Sequence, residues 1–286
     1  MISNEIEFHA PATLAEALEL LRVDGEDVTV LSGGMSLLPM MNLGIIRPTK
    51  VLSLNRVAAL DHVTERGDEI LIGAMVRHHR VAADPLIQRH APLLAAAARV
   101  IGDTQVRNRG TIGGSVAHAD PSADYLPALA AAGGSVTLSG ARGERTLTPD
   151  EFFVDLMFTT REPDEIVTAV TVPKLPDGWR SAYQRLARVE GSFAIVNAAA
   201  VVAGDRSAAT VALGGVGPRP VVIDATEQLR GGVDEESLAR VGEAAYEASQ
   251  DATGDVMSDA EYRREMASVF ARRALREAVG PVETRS

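Results

Sequence analysis

Two short segments carry the residue types that could do chemistry: Ser32-Gly33-Gly34-Met35-Ser36 and Thr111-Ile112-Gly113-Gly114-Ser115. Each sets a glycine pair between hydroxyl side chains. Glycine lacks Cβ, so its backbone comes close to a phosphate and reaches positive φ. Successive amides can then point inward and form an anion-binding nest. The hydroxyls of Ser32, Ser36, Thr111 and Ser115 are further donors. Two such segments suit a pyrophosphate better than a single phosphate, whereas either one alone also reads as a tight turn.

Other nucleotide signatures are absent. Gly215-Val216-Gly217-Pro218-Arg219-Pro220 begins like a dinucleotide fingerprint but lacks its last glycine and carries prolines, so Gly214 to Gly217 reads as a turn leaving a strand. No glycine-rich loop ends in Lys-Ser or Lys-Thr. Around the second segment, Asp120 or Ser122 could cap a helix, and Asp124 could accept from ribose hydroxyls. Arg107 and Arg109 precede it, where they could meet phosphate or a subunit interface. The six histidines show no metal-ligand or triad spacing: His78 and His79 are adjacent and face different sides of any regular element, and His118 reads as structural. Aromatic residues make up only 4%, so Phe193, after Glu190-Gly191-Ser192, stands out as able to cover a flat ring or to pack in a core.

The elements that must position these residues follow from the hydrophobic pattern. Thr13 and Glu16 form a capping box ahead of Leu14, Ala17, Leu18 and Leu21 on one helical face, and Gly25 closes that helix. Val28 to Leu31 reads as a buried strand entering the first glycine segment, and Lys50 to Leu54 as another. Such a strand–helix–strand unit implies a small parallel sheet. Glu69 to Ala74 reads as a strand, Pro92 to Ile101 as a helix, and Ala123 to Ala132 as a helix after Ser122. Strands at Gly134 to Ser139, Arg145 to Leu147 and Ile166 to Val172 then give a second lobe with an antiparallel sheet. Pro173, Pro176, Asp177 and Gly178 mark a domain boundary. Three strands follow, at Ala182 to Leu186, Phe193 to Ala203 and Ala208 to Gly214. A helix from Glu235 buries Leu238, Val241 and Ala245. A last helix has Ser258 and Glu261 as its capping box and Tyr262, Met266, Val269 and Phe270 on one face.

The bulk numbers bound the function. The 286 residues suffice for about two domains, and 46% hydrophobic with 23% charged residues is the balance of a globular protein. There is no cysteine, hence no disulfide, thiolate nucleophile, cysteine-ligated zinc or iron–sulfur cluster on this chain. A net charge of −11 disfavours nucleic acid as a partner. The N-terminus does not read as a signal peptide and no run is long enough for a membrane span, so a cytoplasmic location is expected.

Together the two segments resemble the FAD-binding (medium) subunits of the molybdenum hydroxylase family, which includes the aerobic carbon monoxide dehydrogenase medium subunit and the FAD domain of xanthine dehydrogenase. Leu31-Ser32-Gly33-Gly34-Met35-Ser36-Leu37-Leu38-Pro39 is similar to the family's first FAD loop. Arg109-Gly110-Thr111-Ile112-Gly113-Gly114-Ser115 with Asp120-Pro121-Ser122-Ala123-Asp124 is similar to its second, at a fitting separation of about 78 residues. Gly214 to Pro220 and Tyr262-Arg263-Arg264 resemble marks of its C-terminal domain.

The resemblance implies an α+β fold. A two-lobed FAD-binding domain of the vanillyl-alcohol-oxidase/PCMH type would cover 1–176, with a small parallel βαβ lobe (1–55) and a larger mainly antiparallel lobe (56–176). An α+β C-terminal domain with a three-stranded antiparallel sheet and helices would cover 177–286. Implied FAD contacts are Leu31, Ser32, Gly33, Gly34, Met35, Ser36, Leu37, Ile101, Gly102, Val106, Gly110, Thr111, Ile112, Gly113, Gly114, Ser115, Ala117, Asp124 and Ile166, with Asp124 on the adenosine ribose. Phe193 stands where relatives often have a tyrosine against the isoalloxazine. Met35, Ser115 and Gly191-Ser192 depart from a common His, Asn and Gly-Asp.

The resemblance further implies an oxidoreductase subunit that takes electrons from the iron–sulfur clusters of a small subunit and passes them through FAD to an external acceptor: NAD, a quinone, a cytochrome or oxygen. The molybdopterin cofactor would sit on a large subunit, and the assembly would be a dimer of heterotrimers. No residue here need be an acid, base or nucleophile. A stand-alone FAD-dependent oxidoreductase and a flavin-free scaffold subunit are the alternatives.

Overall fold

The computed structural model describes residues 5–280. The chain opens with β1 (Glu7–His9), α1 (Leu14–Asp24), β2 (Val28–Leu31), α2 (Leu37–Asn42) and β3 (Lys50–Ser53), whose strands form a parallel sheet in the order β1-β3-β2. The expected capping box starts α1: Thr13 Oγ1 accepts from Glu16 N at 3.2 Å, and Glu16 Oε2 accepts from Thr13 N at 3.3 Å. Ala17 and Leu21 of α1 share a small core with Leu52 and Leu54. This core fixes β2, and β2 delivers the chain into the first glycine segment.

The second lobe contains β4 (Val63–Arg66), β5 (Glu69–Gly73), α3 (His78–Ala83), α4 (Pro85–His90), α5 (Pro92–Arg99), α6 (Thr104–Arg109), α7 (Ile112–His118), α8 (Tyr125–Ala131), β6 (Ser135–Gly140), β7 (Gly143–Leu147), α9 (Pro149–Phe152), β8 (Phe153–Asp155), β9 (Phe158–Thr159) and β10 (Ile166–Pro173). Its main sheet is antiparallel, in the order β4-β5-β10-β6-β7. The second glycine segment proves to be the start of α7, with Thr111 as N-cap. Two glycines in a first turn lower helix propensity, which hid this helix in the sequence.

The last part comprises β11 (Arg180–Leu186), β12 (Val196–Val202), β13 (Ala209–Gly214), β14 (Val221–Asp224), α10 (Thr226–Leu229), α11 (Glu235–Ala248) and α12 (Ala260–Val279). Its antiparallel sheet has four strands in sequence order where three were expected. The added β14 is short and follows Pro218 and Pro220, which mask it. Leu238, Val241 and Ala245 of α11 are buried as expected. The cap of α12 differs: Asp259, not Ser258, accepts from Tyr262 N, at 2.8 Å, and Tyr262 lies 40% exposed outside the core.

β12 is buried on both faces. Ala199 and Val201 join the core of the second lobe, while Ala198, Ala200 and Val202 join the core under α11 and α12. Alternation along a strand sends successive side chains to opposite faces. Alanine at three consecutive positions lets α8 pack closely from one side and α12 from the other. The core under α11 and α12 is thus built from residues beyond 177, while the core of the second lobe borrows Ala199, Val201 and Ala212 from across that point. Among the described residues no helix is long and apolar enough to cross a membrane.

Candidate functional site

The two glycine segments, far apart in sequence, form one seam. A Cβ on Gly33 would lie 2.3 Å from the carbonyl oxygen of Arg109 and 2.7 Å from Gly110 Cα. A Cβ on Gly114 would lie 2.8 Å from Thr111 Oγ1 and 3.2 Å from Ser32 Cβ. Side chains would push the segments apart, so glycine is required for contact and not merely for turning.

The segments do different work. Gly34 adopts φ +78°, and among the described residues no acceptor meets the backbone amides of Gly33, Gly34, Met35 and Ser36. In the second segment the amides already have partners. Ile112 N donates to Val76 O at 3.0 Å, Gly113 N to Ala74 O at 2.9 Å, Gly114 N to Thr111 Oγ1 at 3.1 Å and Ser115 N to Thr111 O at 3.0 Å. The expected pair of matching nests is thus corrected: the first segment offers open amides, and the second offers close approach, the Thr111 amide and the Ser115 hydroxyl. Gly113 is glycine because a Cβ there would fall 2.3 Å from Ala74 Cβ.

A polar bridge missed in the sequence ties the seam. Arg77 donates to the carbonyl of Arg109 and, at 2.8 Å, to Asn55 Oδ1, and Asn55 Nδ2 donates to Ser32 O at 3.0 Å. Burial, with Arg109 nearby, lowers the Arg77 pKa. No motif flagged either residue, since both are ordinary surface types. Beneath Gly110 lies His78, 4% exposed, with Nδ1 3.0 Å from Tyr125 Oη. Burial, aided by Arg77, Arg107 and His79, pushes its pKa down to about 3, so the ring is neutral. His79 is exposed, as adjacency required.

Beside the seam, Ile101 and Gly102 form a turn at which Gly102 takes φ +51° and packs on Val106. Arg107 Nη1 holds this turn by donating to the carbonyls of Ile101 (3.0 Å) and Gly102 (2.8 Å), so its charge is directed at the backbone. Met35 is 37% exposed next to the open amides, and Leu31, Leu37, Ala117 and His118 are half-buried. Ile166 is 2% exposed, and its side chain packs in the core between β10 and the first lobe, away from the surface. Asp120 Oδ1 accepts from Ser122 N at 2.8 Å and closes a local turn.

Asp124 is buried as well. Its Oδ1 accepts from Tyr183 Oη at 2.7 Å and lies 3.5 Å from Arg185 Nε. Burial raises the carboxyl's pKa, against Arg185, Tyr183 and Asn197, which lower it. Tyr183 and Arg185 were not singled out in the sequence, where they look like ordinary strand residues. Phe193 is 55% exposed in the loop between β11 and β12, outside the strand in which it was expected. Gly215, at φ +76°, makes the expected turn after β13 and donates to Pro121 O at 2.8 Å. Arg263 of α12, from the second family mark, is buried and donates to Gly215 O at 2.8 Å.

Residues 4–175 match the family described as FAD binding domain in molybdopterin dehydrogenase. The chain belongs to that family. Residues 181–278 match the carbon monoxide dehydrogenase flavoprotein C-terminal domain. Relatives include the nicotine 6-hydroxylase medium subunit of Paenarthrobacter nicotinovorans and the carbon monoxide dehydrogenase medium chain of Hydrogenophaga pseudoflava. Each is 36% identical over 96% of this chain and 97% of its own length. Among solved structures, carbon monoxide dehydrogenase from Hydrogenophaga pseudoflava superposes with a TM-score of 0.92 at 36% identity, covering 97% of this chain and 98% of its counterpart. Quinoline 2-oxidoreductase from Pseudomonas putida 86 gives 0.89 at 30% identity, covering 98% of each. The resemblance read from the two glycine segments therefore extends along almost the whole chain.

Proposed function

We propose that this chain is the FAD-binding medium subunit of a molybdenum hydroxylase, passing electrons from a partner's iron–sulfur clusters to an external acceptor. The observation that carries this reading is the seam in which Gly33 lies against Arg109 and Gly110, in a chain whose length matches the family throughout. A dinucleotide's pyrophosphate suits such a seam: open amides on one side, hydroxyls of Ser32, Ser36 and Ser115, and no Cβ in the way. Bound FAD supplies the redox chemistry, and the protein supplies position and electrostatics.

The open amides of Gly33, Gly34, Met35 and Ser36 hold the phosphates, while Gly110, Thr111, Gly113 and Gly114 bring the second segment into reach. Ile101, Gly102, Val106 and Ala117 border the groove, with Leu31 and Leu37 at the ends of the first segment. Phe193, exposed in the loop after β11, would be the aromatic side chain available to the flavin ring. Asp124 would meet the ribose only beside Tyr183 and Arg185, and Ile166 only through its backbone. The FAD-binding domain is 1–176 and the C-terminal domain 177–286.

The partners are a small iron–sulfur subunit and a large molybdenum subunit, in a cytoplasmic dimer of heterotrimers. The large subunit selects the substrate, in keeping with relatives named for carbon monoxide, nicotine and glyceraldehyde. The acceptor is NAD, a quinone, a cytochrome or oxygen. Purifying the chain with the products of its neighbouring genes tests the reading by visible spectrum and metal analysis. About one FAD per chain with molybdenum and iron is expected. FAD without metals points to a stand-alone oxidoreductase, and a colourless chain that takes up no FAD to a scaffold; either overturns the proposal.

A further inference from the structure

We propose that Arg185 is a positioning residue that holds the loop at 187–193, and with it Phe193, at the edge of the cofactor groove. This rests on the FAD reading above. The loop connects β11 to β12, and its base is closed by Ile195 N donating to Leu186 O at 2.7 Å. Arg185 lies at that base with its side chain 12% exposed. One guanidinium reaches three separate pieces of chain: it donates to the carbonyl of Val100 at the end of α5, donates to the carbonyl of Ser192 in the loop, and lies 3.5 Å from Asp124 Oδ1.

The loop also rests on the groove's edge. Gly191 takes φ +82°, and a Cβ there would lie 3.3 Å from the carbonyl carbon of Gly102, in the turn that borders the groove. Ser192 Oγ donates to Val189 O at 2.9 Å, bracing the segment just before Phe193. An exposed phenylalanine gains nothing for the core, yet the residue before it is held by a buried cation. A buried guanidinium needs a counter-charge, which Asp124 provides. A planar fork with several fixed donors can hold two carbonyls at once, and an ammonium cannot hold them in that geometry. Arg185 thus links the end of α5, the start of α8 and the loop, with no need to touch FAD itself.

The test compares wild type, Arg185→Met, Arg185→Lys and Phe193→Ala. Hydrogen exchange is read on the full chain alone, and FAD content and visible circular dichroism on the chain purified with its partner subunits. Arg185→Met is expected to speed amide exchange at 187–193 at least tenfold while leaving 110–118 within twofold. It should keep FAD content within twofold and shift the flavin circular dichroism towards that of Phe193→Ala. Arg185→Lys should fall between, and it decides the matter if the methionine variant does not fold. Unchanged loop exchange overturns the positioning role. A loosened loop with wild-type flavin dichroism overturns the link to the cofactor. Absence of FAD from the wild-type complex instead overturns the FAD reading, and the exchange arm still judges whether Arg185 holds the loop.

Discussion

Gly114 shows what a side chain would do at the seam, because a Cβ there would lie 2.8 Å from Thr111 Oγ1 and 3.2 Å from Ser32 Cβ. Gly114→Val is expected to cut FAD content at least tenfold, about 1.4 kcal/mol or more in binding. The chain should still melt cooperatively, and released FAD per folded chain is the measurement. His78 gives a pH effect of fixed sign. Its pKa falls from the ordinary 6.5 to about 3 on folding, so between those values the unfolded chain holds more protons. Stability is therefore full above pH 6.5 and declines as pH falls towards 3. From pH 7 to pH 5 this side chain alone should remove about 2 kcal/mol. Urea unfolding at both pH values should show that decline in wild type and a smaller one, by about that amount, in His78→Gln.

At the scale of elements, the caps and β12 are the places where a small change has a calculable effect. Asp259→Ala should destabilise by about 1 kcal/mol, the usual worth of an N-cap. Ser258→Ala should be near neutral, because among the described residues the buried Ser258 hydroxyl has no hydrogen-bond partner; chemical denaturation separates the two. Ala199→Leu would overfill the space between β12 and α8 and should cost about 1–3 kcal/mol by the same measurement. These elements also show what was legible in the sequence. The Thr13–Glu16 box, the strand leading into Ser32 and the buried face of α11 could be read because local pattern and tertiary role agree. β14 could not, because four residues behind two prolines carry too little periodicity, and α7 could not, because glycine lowers helix propensity. The two glycine segments were readable as a cofactor signal only as a pair. Asn55, Arg77 and Arg185 were illegible because their roles depend on residues distant in sequence, and Asp124 was visible as a candidate without its partners Tyr183 and Arg185.

At the scale of the molecule, the shared strand face makes the two halves depend on each other. Ala199, Val201 and Ala212 complete the core that α5 and α8 begin. A fragment ending at residue 176 should therefore expose that surface, bind a hydrophobic dye and lack a cooperative melt, whereas the full chain should not; differential scanning with dye binding distinguishes the outcomes. The seam at Gly33 has a temporal consequence. Its two sides, near residues 33 and 110, leave the ribosome at different times, and long-range contacts form slowly because chain entropy opposes their closure. While the first segment has left the ribosome and the second has not, the open amides have no opposing wall. On the FAD reading, the cofactor can load only once both segments have emerged, and a filled groove would certify that the two lobes have already met.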